Sequence, residues 1–321
     1  MSTVRKAFVT GGSGYLGSHL CKLLKRNGWE VALYDIKHPK HKYYDWSFGN
    51  YDIRTRSELR NCLEYIRPDV VFHLAGRIEV GESVKYPTEF YEVNVGGTLT
   101  LLNAMHEFGI NNIIYSSTAG VYEPSEEKLS EFHPVNWQNN PYAGSKLAAE
   151  QAIRQSGNGY CIFRYFNLAG ADPEGELGEN HFPETHLIPK IYENLNNFTI
   201  NGDSYNTLDG TCIRDYVHVC DVADMHLQMA EKMLGQNIKP THTMNLGNGT
   251  GYSIKEILNL AGITIGQKIP YTVGPKREGD PDILVANTTV AQGLYDFRPR
   301  HGIMEILKTA YDWHLKNDKD E

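Results

Sequence analysis

Two residues with reactive side chains, Tyr142 and Lys146, stand four positions apart in the segment Pro141–Lys146. If this segment is helical, the two side chains share one face of the helix, one turn apart. An ammonium group beside a phenol favours the phenolate, and a phenolate can remove a proton from an alcohol. The spacing therefore indicates proton transfer at a substrate hydroxyl. An exposed pair without a chemical role has the same spacing, so other residues must decide between the two interpretations.

Hydroxyl side chains that could work with this pair lie between Ser116 and Thr118, at the end of the predicted strand Ile113–Ser117. Ligands in open α/β sheets bind at the carboxyl ends of the strands. The next predicted helix, 142–155, carries the tyrosine and the lysine. We therefore expect a hydroxyl, a phenol and an ammonium group to converge on one ligand.

A glycine-rich loop near the N-terminus predicts a nucleotide site. Gly11, Gly14 and Gly17 form a G-x-x-G-x-x-G loop between the predicted buried strand Ala7–Thr10 and a helix whose apolar stripe begins at Leu16. Glycine permits a tight turn and lets the backbone approach a pyrophosphate, while the helix N-terminus offers N–H groups and a favourable dipole. The spacing differs by one residue from the G-x-G-x-x-G form, but the strand and the helix on either side support a dinucleotide.

The acidic residue expected of a dinucleotide site is Asp35, which ends the second predicted strand, Val31–Tyr34. A carboxylate at this position binds the adenosine ribose diol. It would also repel a 2′-phosphate, which favours NAD over NADP. Lys37 and His38 follow closely and weaken this preference.

Short apolar runs alternate with amphipathic helices up to about residue 170, which indicates parallel β-α-β units. Within this part, the pattern predicts one long helix over 88–108 and a polar loop over 37–51. The composition then changes. Residues 171–184 are rich in Gly, Pro and acids, and 196–212 are predicted to be irregular.

The sequence therefore predicts an α/β protein with a Rossmann-type doubly wound parallel sheet and a smaller, mixed α/β C-terminal domain. We expect residues 1–170, with parts of 213–235, to form the NAD-binding domain. Residues 171–321 would form the second, substrate-binding domain.

Composition excludes several classes of protein. With 321 residues, 40% hydrophobic and 22% charged, the chain has the composition of a soluble globular protein. A formal net charge of −8 argues against a nucleic-acid-binding surface. No apolar run approaches the roughly 18 residues of a membrane helix, and the N-terminal residues lack the features of a signal peptide.

The cysteines and histidines predict free thiols and no metal. The five cysteines include no C-x-x-C pair, so we expect a reducing, cytoplasmic location. Cys212, His218 and Cys220 lie close in sequence, but their spacing is not a zinc pattern and no fourth ligand is evident. The sequence therefore predicts no metal ligands.

The order of these motifs resembles that of the extended short-chain dehydrogenase/reductase family, and within it the nucleotide-sugar 4-epimerases. The resemblance covers nearly the whole chain. Its most specific segments are His73–Gly76, Val80–Ser83, Asn94–Thr98, Arg164–Asn167, Pro183–Pro189, Asp209–Val219, Asn245–Gly247 and Arg277–Asp280.

This resemblance implies a role for each member of the catalytic group. Tyr142 would act as the base and then the acid at the 4-hydroxyl of a sugar, and Thr118 would hydrogen-bond the same oxygen. Lys146 would bind the nicotinamide ribose and lower the pKa of the tyrosine. A free tyrosine titrates near pH 10, so a base that works near neutral pH needs a pKa lowered by roughly three.

The resemblance also implies two sets of binding residues. The cofactor, NAD, would be held by Gly11, Gly14, Tyr15, Leu16, Gly17, Asp35, Asp52, Ile53, Leu74, Ala75, Gly76, Asn94, Ser116, Tyr142, Lys146 and Tyr165. The substrate would be held by Thr118, Tyr142, Asn167, His186, Leu187, Asn201, Arg214, Arg277, Asp280 and Leu284. The two arginines in the second set can make bidentate contacts with a diphosphate.

The activity that the resemblance implies is NAD-dependent epimerisation at C4 of a UDP-hexose, UDP-glucose or UDP-galactose, through a 4-keto intermediate. NAD would stay bound through many turnovers, because the reaction consumes no net redox equivalents. By analogy with the family, the protein would form a homodimer through the helices at 88–108 and 142–156. No nucleic-acid or membrane partner is expected.

Three alternatives remain open. A 4-epimerase could prefer a UDP-N-acetylhexosamine or UDP-glucuronate. A nucleotide-sugar 4,6-dehydratase has the same scaffold but carries an acidic pair directly after the catalytic threonine, where this chain has Ala119 and Gly120. A non-catalytic, NAD-sensing regulator typically lacks the Tyr/Lys pair, which this chain retains.

Four positions depart from the usual pattern of such epimerases. Ile78 replaces a frequent lysine near the diphosphate, His186 replaces an asparagine, and Asn201 replaces an aromatic residue near the uracil. These changes leave the nucleotide contacts open. Leu284 lies at the position that limits the hexose 2-substituent, where a bulky tyrosine restricts the pocket, so we expect some room for an N-acetylhexosamine.

Overall fold

A parallel sheet forms the centre of the region that contains the glycine loop. The computed structural model describes residues 4–181, 183–235, 239–277 and 279–317. The strands are β1 (Lys6–Thr10), β2 (Glu30–Asp35), β3 (Trp46–Gly49), β4 (Val70–His73), β5 (Asn112–Thr118), β6 (Gly159–Tyr165), β7 (Asn167–Ala169), β8 (Phe198–Asn201), β9 (Ile213–His218), β10 (Thr241–Leu246), β11 (Gly251–Ser253), β12 (Tyr271–Gly274) and β13 (Ile283–Leu284).

The helices lie between these strands. They are α1 (Tyr15–Arg26), α2 (Arg56–Ile66), α3 (Val80–Lys85), α4 (Pro87–Tyr91), α5 (Gly97–Glu107), α6 (Pro141–Gln155), α7 (Leu187–Glu193), α8 (Val219–Gly235), α9 (Ile254–Ile265), α10 (Thr289–Tyr295) and α11 (Ile303–Asn317). A π-helical turn at Glu92–Gly96 separates α4 from α5, and a 3₁₀ turn at Ala119–Val121 follows β5.

The chain divides into two compact units. Unit 1 comprises the described residues of Met1–Val121, Val135–Arg164 and Ala223–Met244, and unit 2 comprises those of Tyr122–Pro134, Tyr165–Val222 and Asn245–Glu321. The assignment of cofactor binding to residues 1–170, with parts of 213–235, and of substrate binding to 171–321 stays a prediction.

The large sheet has the strand order β10-β6-β5-β4-β1-β2-β3. The pairs of β1 with β2 and β4, of β2 with β3, and of β4 with β5 are parallel. Phe8 of β1, for example, lies opposite Ala32 and Val71, and all three belong to one buried cluster. Helices on both faces of a parallel sheet require strands that are apolar on both sides. The predicted Rossmann-type fold is confirmed.

This strand order sets the place of a ligand. From β1 the chain adds β2 and β3 on one side, and it then adds β4, β5 and β6 on the other. The order of strands therefore reverses between β1 and β4, and ligands bind at such a switch point, beyond the carboxyl ends of the strands. The glycine loop follows β1, the segment Leu74–Gly76 follows β4, and Ser116 and Thr118 end β5. The fold therefore brings three predicted segments to one edge of the sheet.

Unit 2 contains smaller sheets. Strands β11, β9 and β13 lie side by side, β7 also pairs with β9, and β12 pairs with β8. Its core includes Ile191, Ile257 and Ile306, from α7, α9 and α11. Helix α9 begins with a capping box in which the side chain of Ser253 and that of Glu256 each bind the other's backbone N–H.

Three elements differ from the sequence-based expectations. The predicted loop over 37–51 contains β3, and the predicted irregular segment 196–212 contains β8. Both strands are four residues long and depend on pairing, with β2 and β12 respectively. The predicted helix over 88–108 is interrupted by the π-helical turn, a feature often found at functional sites.

Two further observations concern membrane-spanning helices and the state of the cysteines. Within the described ranges, no helix has both the length and the apolar character needed to cross a bilayer. The five cysteines are free thiols, and four of them are buried.

Replacement of Gly17 by Ala tests the packing of the glycine loop. A Cβ at this position would lie 2.1 Å from the carbonyl oxygen of Gly11, a backbone atom that cannot move without moving β1. We expect Gly17→Ala to lower the free energy of unfolding by about 2 kcal/mol or more and to abolish NAD binding. Urea denaturation and the NAD content of the purified protein measure the two effects.

The matched control is Gly293→Ala in α10, where an added Cβ meets no atom within 4 Å. This change should be neutral or stabilising by up to about 1 kcal/mol, because alanine favours a helix. Equal stability of the two variants would show that the close approach at Gly17 is not required.

Candidate active site

The glycine loop forms a cradle of backbone at the end of β1. Gly11 has a φ of +74°, and a Cβ there would lie 2.7 Å from the backbone nitrogen of Ala75. Gly14 precedes α1 and offers no side-chain cap, and the first backbone N–H groups of an α-helix have no carbonyl acceptor in a preceding turn. These donors suit an anion such as a pyrophosphate. The cradle therefore fits a dinucleotide.

Asp35 is fixed beside this cradle. Its Oδ2 accepts a hydrogen bond from the backbone N–H of Ser13 at 2.9 Å, and its Oδ1 accepts one from that of Lys37 at 2.9 Å. Each carboxylate oxygen retains acceptor capacity for a further hydrogen bond. The position at the end of β2 suits the ribose diol of an adenosine.

The side-chain amide of Asn94 is hydrogen-bonded to the loop after β4 and to α6. It lies in the π-helical turn, and its Oδ1 accepts from the N–H of Arg77 at 2.8 Å. Its Nδ2 donates to the carbonyl of Arg77 and to Ser145 Oγ, at 3.1 and 2.9 Å. A Cβ at Gly76 would lie 2.8 Å from Asn94 Oδ1. The asparagine thereby connects the loop Leu74–Gly76 with α6.

Helix α6 positions the tyrosine and the lysine. Asn140 caps the helix by accepting a hydrogen bond from the N–H of Ala143 at 2.9 Å, and Pro141 occupies the first turn. Tyr142, half-buried, hydrogen-bonds Thr118 at the end of β5. One turn further, Lys146 Nζ donates to the carbonyl of Ser116 at 2.6 Å. The structure thus brings together all four predicted residues of this group.

Burial controls the protonation of this group. Burial raises the pKa of Tyr142 to about 12, and the negative charge of Glu79 adds to this rise. The hydrogen bond with Thr118 lowers the same pKa, but by less. Burial also lowers the pKa of Lys146 to about 7, against the influence of the Glu150 carboxylate. The expected lowering of the tyrosine pKa by Lys146 is therefore not achieved by the protein's own groups, because desolvation of the phenolate outweighs the Thr118 hydrogen bond.

Glu150 is a residue of this site that sequence reasoning missed. It is fully buried, accepts hydrogen bonds from Ser117 Oγ and from Arg164 Nε and Nη2, and also pairs with Arg154 at 2.9 Å. It therefore joins the end of β5 to α6 and favours the charged form of Lys146. Its spacing of one helical turn after Lys146 is a signal that could have revealed it.

Asp52 and Ile53, both predicted to hold the cofactor, lie between β3 and α2. The Asp52 carboxylate pairs with Arg54 Nη2 at 2.6 Å, and this hydrogen bond lowers the pKa of Asp52. The side chain of Ile53 is buried in the core, against the backbone of Gly97. Any contact of Ile53 with a nucleotide would therefore involve its backbone.

Unit 2 contains the predicted diphosphate residues. Arg214 on β9 is buried, and its Nη2 pairs with Asp280 Oδ1 at 2.7 Å. When the Asn201 amide is oriented to satisfy its hydrogen bonds, its side-chain oxygen accepts from Nε and Nη2 of exposed Arg277, at 3.1 Å for both. Leu284 on β13 is half-buried and lies opposite Arg214 in the paired strands. Within unit 2, both arginines therefore lie next to oxygen atoms of other residues that are predicted to bind the substrate.

The other predicted residues of unit 2 lie on short elements. Tyr165 ends β6 and Asn167 begins β7; within the described residues, the buried Oδ1 of Asn167 makes no hydrogen bond. His186 precedes α7, whose first residue is Leu187. Burial opposes the charged form of His186, but two neighbouring glutamates raise its pKa to about 10.

Comparison with known proteins defines the family. The model of the NAD dependent epimerase/dehydratase family matches residues 7–247. The chain belongs to this family. It is 40% identical to the UDP-glucose 4-epimerase of Rhizobium leguminosarum bv. trifolii, over 97% of this chain and 98% of that protein. The resemblance inferred from the sequence is confirmed.

Solved structures agree in fold over the whole chain. The UDP-glucose 4-epimerase of Brucella ovis in complex with NAD has a TM-score of 0.88 at 37% identity, covering 96% of this chain and 98% of that one. The enzyme of Bifidobacterium longum in complex with NAD+ and UDP has a TM-score of 0.89 at 30% identity, covering 98% and 100%.

Glu150→Gln tests whether the buried carboxylate holds the site together. The amide keeps the shape of the side chain but leaves the guanidinium of Arg164 buried without its counter-charge. We expect a loss of about 3 kcal/mol or more in the free energy of unfolding, measured by urea denaturation.

The control is Asp312→Asn, which removes the carboxylate of an exposed pair with Lys308 on α11. That change should cost less than about 1 kcal/mol, because solvent screens the pair. A loss for Glu150→Gln no larger than that of the control would contradict the structural role given to Glu150.

Proposed function

We propose that the protein catalyses NAD-dependent epimerisation at C4 of a UDP-hexose, with UDP-glucose and UDP-galactose as the interconverted pair. The observation that carries this proposal is the position of Tyr142 and Lys146 on α6 beside the end of β5, where Lys146 Nζ lies 2.6 Å from the carbonyl oxygen of Ser116, at the same sheet edge as the glycine cradle. Family membership and the NAD complexes of similar proteins support the cofactor.

The cofactor would lie along the carboxyl edge of the sheet. The glycine cradle would bind its pyrophosphate and Asp35 its adenosine ribose. Lys146, fixed by the carbonyl of Ser116 at 2.6 Å, would hydrogen-bond the nicotinamide ribose. Bound NAD supplies the acceptor, and then the donor, of the hydride at C4.

The protein's own part in the reaction is proton transfer. Tyr142 Oη accepts the proton of the 4-hydroxyl as C4 is oxidised, and Thr118 Oγ1 hydrogen-bonds the same oxygen. A 4-keto sugar results. When C4 is reduced from its other face, Tyr142 returns the proton and the configuration is inverted. In its charged form Lys146 would place a positive charge near this proton and, together with the bound reactants, favour the phenolate during the transfer.

The UDP part of the substrate is assigned to unit 2. Arg214 and Arg277 provide the charges that suit a diphosphate. The buried Oδ1 of Asn167 is an acceptor in need of a donor, which a hydroxyl of the sugar could supply. The 4-keto sugar must rotate within the site before it is reduced. Binding of its UDP group by the two arginines would keep it in the site during this rotation.

Dehydration is the less favoured reaction on this scaffold. Loss of water from a sugar needs an additional acid and base next to the catalytic threonine. Here Thr118 is followed by the 3₁₀ turn Ala119–Val121, whose side chains carry no acid. UDP-N-acetylhexosamine is a second candidate substrate, because Leu284 is smaller than a tyrosine at the position proposed to limit the 2-substituent.

We also propose that the protein acts as a cytoplasmic homodimer. Apolar side chains on the surface of the predicted dimer helices support this, with Tyr91 41% and Leu99 46% exposed. The free thiols agree with a reducing compartment.

Incubation of the purified protein with UDP-glucose, without added cofactor, tests the function. We expect UDP-galactose on chromatography and NAD in the supernatant after heat denaturation. Tyr142→Phe should retain the NAD but lower kcat by about 10²-fold or more, because the proton acceptor is lost.

Other products would change the conclusion. A 4-keto-6-deoxy sugar would show a dehydratase, and turnover of UDP-N-acetylglucosamine alone would show that the proposed hexose is wrong. Full activity of Tyr142→Phe would contradict the assignment of the base, and active protein free of NAD would contradict the cofactor.

A further inference from the structure

Four side chains that the proposed reaction does not require as a group converge in unit 2. They are Glu179, His181, Glu184 and His186, spaced E-x-H-x-x-E-x-H in the loop before α7. One ligand atom from each, a carboxylate oxygen or an imidazole Nδ1, lies within 4.8 Å of the others. Sequence reasoning had predicted no metal ligands, because it considered only Cys212, His218 and Cys220.

Four nitrogen–oxygen separations among these side chains are close to those between ligands of one ion. Glu179 Oε1 lies 2.8 Å from His186 Nδ1 and 3.4 Å from His181 Nδ1. Glu184 Oε1 lies 3.1 Å from His186 Nδ1, and its Oε2 lies 3.7 Å from His181 Nδ1. Tetrahedral zinc bonds of about 2.0–2.1 Å place neighbouring ligand atoms about 3.3 Å apart. Small shifts would therefore complete a coordination shell.

The identity of the donors selects the class of ion. Two imidazole nitrogens with two carboxylates suit Zn²⁺ and similar first-row ions, whereas Ca²⁺ and Mg²⁺ prefer oxygen ligands throughout. The side chains of Glu179 and Glu184 are only 6% and 5% exposed, so their charges are largely withdrawn from water. The cluster of Asp172, Glu174 and Glu176 has no imidazole and carries no such inference.

Ion pairs between the same groups are the competing explanation. They would require a proton on both Nδ1 atoms, with two imidazolium rings whose centroids are 5.1 Å apart. Both nitrogens lie within 3.4 Å of one oxygen, Glu179 Oε1. A single divalent cation at the centre of the four atoms would satisfy both carboxylates and both nitrogens together, and its binding would release these protons.

We propose that Glu179, His181, Glu184 and His186 bind one divalent first-row transition ion of the Zn²⁺ class. With four protein ligands and no open position, the site would be structural rather than catalytic. It would fix the loop that leads into α7 at Leu187. The predicted substrate contact of His186 would then use its Nε2, since the ion takes Nδ1.

The test is metal binding by the full, tag-free chain after treatment with EDTA. Equilibrium dialysis against Zn²⁺ with elemental analysis should give one ion per chain, and Mg²⁺ should not compete. At a free Zn²⁺ concentration 100 times Kd, the Tm should rise by about 4 °C. Failure to bind one equivalent of Zn²⁺ would overturn the proposal.

Variants locate the ion. His181→Gln should weaken Zn²⁺ binding by about 10-fold or more, and at the same free Zn²⁺ concentration it should lower the rise in Tm by about half or more. The control is His106→Gln, an exposed position on α5 that should bind as the unchanged chain does. The Tm of each variant without metal shows that it is folded. Equal affinity of the two variants would place the ion elsewhere and overturn the proposal, whatever the epimerase activity.

Discussion

A positive charge held out of water at the end of β5 is the constraint on which the active site depends. Lys146 is 2% exposed, and an ammonium in that position is costly unless its hydrogen bonds and counter-charge are provided. The carbonyl of Ser116 provides the hydrogen bond, and Glu150 the opposing charge. Glu150 is itself neutralised by Arg164 and Arg154. Helix α6 and strand β5 are thereby fixed to each other where Tyr142 must meet Thr118.

Burial of the Tyr142 side chain disfavours its phenolate form, which explains why Tyr142 needs bound cofactor and substrate to act as a base. The same desolvation that lowers the pKa of Lys146 raises that of Tyr142. The protein alone therefore keeps the tyrosine protonated. We infer that the proton leaves only when the bound reactants place charge and hydrogen-bond partners at the site, which couples base activity to a loaded active site.

Much of unit 1 could be predicted from the sequence because its signals are local. The glycine loop and Asp35 each lie within a few residues of the element they define. The Rossmann-type sheet followed from alternating apolar runs. The break in the helix predicted over 88–108 was missed, because a π-helical turn changes the hydrogen bonding while the flanking backbone stays right-handed helical.

What could not be predicted depends on contacts between distant residues. Strands β3 and β8 are four residues long, and only their partners β2 and β12 make them strands. The Glu150–Arg164 pair joins a helix to the strand after it. The roles of Asn201, Arg277 and Asp280 stay predictions, since their positions follow from the resemblance and from local pairing.

The central claim is that hydrogen leaves C4 as a hydride and returns to the same carbon, while Tyr142 handles only the hydroxyl proton. UDP-glucose carrying deuterium at C4 tests this claim directly. After conversion in ordinary water, we predict that the UDP-galactose retains the deuterium at C4 in full. Loss of deuterium to the solvent would show that a proton, not a hydride, is removed from the carbon, and would contradict the account.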